Sequence, residues 1–160
     1  MILQPDDYDF GKSSNYSFAN DLTCKNDETR KMFVLAYGHM LNYNHEEAIS
    51  CFQKCTELDP DCAMAWWGIA YCLSSNYNWT PGLGSGHDPI QQAVSLVNNV
   101  TELERDLINA LAKRHSEEAR DAADPSVLNM GNSPELNIAF ADAMAPLYEK
   151  YEGNLDVTAI

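Results

Sequence analysis

The chain has 160 residues, 45% of them hydrophobic, and a formal net charge of -14 from 24 Asp and Glu against 10 Lys and Arg. That length and apolar content suit one globular domain with a proper core and exclude a disordered chain. So acidic a surface repels phosphate backbones and anionic lipid heads, which argues against nucleic acid or a membrane surface; a basic partner, or mere solubility, fits better.

Residues 1–25 read as an N-terminal arm, extended or loosely ordered. Pro5, Gly11 and the Ser13-Ser14-Asn15 cluster interrupt any helical period. Its aromatics Tyr8, Phe10, Tyr16 and Phe18 are placed to dock on the body. The arm carries neither a basic n-region nor an apolar stretch of a secretory signal, and no run approaches the ~20 residues of a membrane-spanning helix. Five cysteines is an odd number, and a helical domain of this size needs no disulfide staples. These features predict reduced thiols and a cytoplasmic location, and they take weight from the sequons at Asn15, Asn78 and Asn99.

The helical domain is expected over 26–160. Asn26 or Asp27 caps the first helix, where Met32, Leu35, Ala36 and His39 recur on one face. Asn44 caps the second, with Ala48, Ile49, Phe52 and Cys55 buried. It stops at Leu58-Asp59 because Pro60 disfavours helical backbone in the residue before it. Asp61 is expected to cap the third, whose face is Trp66, Ile69, Ala70 and Leu73. Met32 to Trp66, Leu35 to Ile69, Ala36 to Ala70 and His39 to Leu73 are each 34 residues apart, the mark of a helical repeat.

The register then slips. SNYNWTPGLGSGHDP reads as a loop, since its glycines and prolines do not suit a helix interior. A fourth helix is expected from Asp88 or Pro89 to Asn98. Thr101 or its neighbour restarts a fifth, with Leu107, Ile108, Leu111 and Ala112 on one face and His115 placed as His39 is. A second polar insertion follows, and Ser133 caps a sixth helix from Pro134 to Tyr151, with a kink or early end at Pro146 and a stop at Gly153-Asn154. Residues 156–160 read as a helix start with no room to form. The pairs fall at about 27–59, 61–99 and 101–151. The pattern stops without a polar capping helix, so a C-terminal truncation is expected.

Ala48-x3-Phe52, Leu58-Asp59-Pro60, Trp66, Ile69 and Ala70 make residues 29–73 resemble the tetratricopeptide-repeat family, and more specifically the N-terminal region of longer, uncharacterised proteins of that kind. The resemblance implies an all-α fold: a right-handed stack of about six antiparallel helices in three helix-turn-helix pairs, here with two loop insertions. It also implies a concave groove that binds a peptide or helix. Its groove positions carry over to Arg30, Phe33, Tyr37 and Met40 in the first repeat and Met64, Trp67, Tyr71 and Ser74 in the second. Trp67 and Tyr71 then face the groove while Trp66 enters the core. Aromatics and Met in place of Lys, Arg and Asn do not suit a carboxylate clamp, so an apolar peptide or helix is the expected ligand. The alternative filling is the chain's own arm or the 74–88 loop.

The residues offer little to other chemistries. Cys51 and Cys55 lie one helical turn apart, and Cys62, Cys72, His39 and His45 are near in sequence, but no second Cys pair completes a zinc site. His45-Glu46-Glu47 is followed by Ile49 where a zinc-protease helix has His. The 82–87 stretch GLGSGH has no Lys and no preceding strand to make a phosphate cradle. No nucleophile, base and orienter assemble. No metal, cofactor or catalytic residue is therefore expected, and the leading reading is a protein-interaction module rather than an enzyme. The alternatives are the scaffold part of a larger enzyme or metal-dependent protein, and a structural subunit that self-associates through an uncapped C-terminal end.

Overall fold

A computed structural model of the chain describes residues 18–74, 85–115 and 134–160, and among these every regular element is a helix. A short α1 (Phe18–Asp21) leads into α2 (Asp27–Leu41), α3 (His45–Leu58) and α4 (Ala63–Leu73). Then come α5 (His87–Ser95), a 3-10 turn at Val97–Asn99, α6 (Glu102–Arg114), α7 (Pro134–Lys150) and α8 (Leu155–Ala159). Each of the helices from α2 to α7 packs on the next, and α4 also meets α2 and α6. The layers are helix on helix, an all-α arrangement around one core. Residues 75–84 of the first expected insertion, the second insertion and Ser133 as a cap lie outside the described residues; His87–Pro89, read as the end of the first loop, already belong to α5.

The helix ends follow from local chemistry, with one displacement. Extended backbone at Asn26 lets its side chain accept from the Thr29 amide at 2.9 Å, closing the start of α2. Asn44 stands before α3, but its side chain makes no capping bond. Asp61 is not the cap of α4, contrary to expectation: the helix starts at Ala63 behind Cys62. The turn is organised by Asp59 instead. Its buried carboxylate accepts from the Asp61 amide at 3.1 Å and the Lys25 amide at 2.7 Å. At α6, Thr101 and Glu104 form a reciprocal capping box.

Glu104 does more than cap. Its buried carboxylate also accepts from the Thr23 amide at 2.8 Å and the Thr23 hydroxyl at 2.6 Å. Together with Asp59 it ties down the strand of chain before α2. Residues 18–25 are therefore not the loose arm the sequence predicts. They form a helical turn and an anchored segment, with Phe18 and Leu22 buried.

The core is densest at α4, where Ala63, Met64, Ala65, Trp67, Gly68, Ile69, Ala70 and Cys72 are all buried. Gly68 permits the close approach of α3, because a Cβ there would fall 2.4 Å from the Phe52 Cζ atom. Positions 34 apart in α2 and α4 share an environment: Leu35 and Ile69 are buried, as are Ala36 and Ala70. Met32 with Trp66, and His39 with Leu73, are half-buried in both helices.

One C-terminal expectation holds and another needs correction. Helix α7 runs Pro134–Lys150, close to the expected 134–151, and passes Pro146 rather than ending early there. Pro146 is exposed, so the missing backbone bond falls where water reaches the helix. Nor is the end too short for a helix: α8 forms behind Asn154, whose side chain accepts from the Val157 amide, and it buries Asp156 and Val157. Gly153, at φ +81°, makes the turn between them.

Candidate interaction surface

The structure brings the eight expected groove residues together, but as interior. Phe33, Tyr37, Met40, Met64, Trp67 and Ser74 are buried, and Arg30 and Tyr71 are half-buried. Two things cover them. Phe18 sets its ring edge-on to Phe33 and Tyr37, at 5.7 and 5.4 Å between centroids. Helix α6 covers the other half, and Trp67 donates its indole N–H to the Leu107 carbonyl at 3.2 Å. The two tryptophans exchange the roles expected of them: Trp67 is fully buried, whereas Trp66 is half-buried and donates to the Pro60 carbonyl. The cause is the neighbour each faces. Trp67 points at α6, which is distant in sequence, while Trp66 stays beside the turn that begins its own helix.

A second cluster gathers around the end of α4. The Ser74 hydroxyl donates to the Ala70 carbonyl at 3.0 Å, and His115 Nε2 lies 2.8 Å from the same oxygen. With the serine proton committed to Ala70, the imidazole is the donor in that contact, so Ser74 is not set up as a nucleophile. His115 is pushed down to about 4, first by burial and then by the Arg114 and His87 charges. His87 is buried beside Asp88, with Nδ1 at 3.1 Å from the carboxylate. His45 holds Nδ1 3.3 Å from the Cys72 carbonyl. Its pKa too is lowered, by burial. The His45 and His115 imidazoles meet the carbonyl end of a helix that has no basic residue in its last turn. Those two are packing and capping groups.

The cysteines are free and their thiols are pushed up by burial, Cys62 to about 12. A protonated, buried thiol is a small apolar side chain rather than a reactive one. Among the described residues no three His, Cys, Asp or Glu side chains gather as ligands for a metal.

Among the described residues an open apolar surface lies on α7, which sequence reasoning did not single out. Its inner face, Phe140, Met144, Leu147 and Tyr151, packs on the core. Polar clasps to α6 hold both ends. Lys150 sits 2.7 Å from both Glu102 and Asp106, and the Tyr151 hydroxyl donates to Asp106 at 2.8 Å. Arg114 donates to the Asn137 side chain at 2.9 Å and lies over the Phe140 ring. Burial raises the Asp106 carboxyl, but the bonds from Lys150 and Tyr151 outweigh it and carry the pKa below the usual carboxylate value.

On a solvent-facing flank of the helix, Ile138 is 59% exposed and Tyr148 60%, with Ala141 and Ala145 exposed between them. Their spacing of three, four and three residues puts all four on one helical stripe. The signal was legible in the sequence as apolar residues on both faces of one helix. No family model, curated protein or solved structure matches this chain.

Proposed function

We propose that the chain is a protein-protein interaction module, a tetratricopeptide-like stack of helix pairs that meets its partner on the outer face of α7. The matched burial of positions 34 residues apart in α2 and α4 supports the repeat architecture. One observation carries the binding role: two large apolar side chains, Ile138 and Tyr148, stand in solvent at the ends of an alanine floor. Contiguous exposed apolar stripes of this kind mark interaction sites. The aromatic stripe of α2 and α4 takes no part in this reading, because α1 and α6 fill it.

A photo-crosslinking residue in place of Ala145, in the full chain within a cell extract, tests the proposal. Discrete protein adducts are expected there, absent with the same residue at exposed Gln53 and lost with Ile138→Glu and Tyr148→Glu. Equal adducts at both positions, or none at 145, would sink it.

A further inference from the structure

Building on the assignment of this face as the interaction surface, we infer that the partner is a basic amphipathic helix laid along α7. Shape supplies the first argument. Ile138 and Tyr148 are ten residues apart, about 15 Å along the axis at ~1.5 Å per residue. Between them Ala141 and Ala145 leave a shallow floor, so large side chains of a facing helix can seat over the alanines and between the two bookends. An occupant needs roughly three turns of helix with one apolar stripe.

Charge supplies the second. Asp142 and Glu149 lie seven residues apart along one flank of the stripe, and with Glu152 just beyond the helix all three are exposed. The helix contains one base, Lys150, and that side chain is turned to Glu102 and Asp106 of α6. The rim is therefore acidic on a chain whose net charge is already -14. A second copy of this chain would bring the same acids against each other, and an acidic helix would meet like charge along its length. A helix with Lys or Arg flanking its apolar stripe pairs with the rim and gains in encounter rate as well.

The test uses the full chain at physiological salt and two synthetic helical peptides of about 18 residues. Both carry the same leucine stripe, one flanked by Lys and the other by Glu. The Lys peptide is expected to bind, with backbone amide shifts concentrated at Ile138, Ala141, Asp142, Ala145, Tyr148 and Glu149. Asp142→Lys with Glu149→Lys should weaken it at least tenfold and let the Glu peptide bind. The same charge change made elsewhere, Glu46→Lys with Glu47→Lys on α3, should leave the affinity within twofold. Because all four acids are exposed, these variants are expected to keep the wild-type circular dichroism.

If the Glu peptide binds α7 as well as the Lys peptide does, the surface survives and the basic partner fails. If neither peptide shifts α7 and the crosslinker at 145 finds nothing, both fail. A concentration-dependent dimer abolished by Tyr148→Glu would assign the face to a second copy and overturn the inference. So would binding of the Lys peptide that the α3 variant weakens as much as the α7 variant.

Discussion

Helices α4 and α7 are both rich in apolar residues, yet α4 is buried on nearly every side while no described side chain of α7 is fully buried. The difference lies in what surrounds them. Helix α4 has α3 on one side, α5 and α6 on others, and α2 across the turn; α7 has α6 and the short α8. An apolar helix enclosed by neighbours becomes core, and similar composition with fewer described neighbours leaves apolar side chains in solvent. Their attachments differ accordingly. The indole of Trp67 holds α4 to α6 inside the core, whereas α7 is clasped by Lys150, Tyr151 and Arg114 at its rim.

The largest effect expected to break this contrast is Trp67→Ala. It removes the largest fully buried side chain and its indole bond to the Leu107 carbonyl, and should cost about 3–5 kcal/mol in urea unfolding. A loss under about 1 kcal/mol would mean that α4 is not the centre of the core. Gly68→Ala reverses the usual helix preference for alanine. The added Cβ meets the rigid Phe52 ring, so a destabilisation of about 1–3 kcal/mol is expected in the same assay. A gain in stability would show that α3 and α4 are farther apart than described.

The contrast also has a pH dependence. His115 sits low in the folded state, at about 4, against about 6.5 unfolded. The unfolded chain therefore takes up the proton first as pH falls. Stability from this group is complete above pH 6.5 and is lost progressively down to pH 4. Between pH 7.5 and 5 the loss should be about 2 kcal/mol. His115→Gln retains a donor for Ser74 and should remove that part of the pH slope. An unchanged slope would place the acid sensitivity elsewhere. The smallest effect belongs to the outer face of α7. Ile138→Ala and Tyr148→Ala should each change stability by less than about 0.5 kcal/mol, and a larger cost would show that the face is covered within the chain.

Much of the fold was legible in local chemistry. Asn26 as a cap, the end of α3 before Pro60, the capping Thr101 and the apolar face of α6 all depend on residues within a turn or two of each other. The failures share a cause as well. Asp61 yielded to Asp59 because the latter also fastens Lys25, 34 residues away. Helical register put Phe33 with Tyr37 and Trp67 with Tyr71, and each pair stacks within its own helix. Register says which residues share a face, but not what lies against that face.

By itself, then, the sequence determined the six longer helices, their approximate ends and the 34-residue spacing, but not α1 or α8, because hydrogen bonds and side-chain spacing within a helix are set by near neighbours. Which stripe is core and which is surface was decided only by tertiary structure. Phe18 closes on the aromatics of α2 and Leu107 on those of α4, from segments far apart in sequence. Nothing described covers Ile138 and Tyr148 on α7. Burial depends on which distant segments arrive, and the hydrophobic effect rewards any apolar surface removed from water without naming the segment that must cover it.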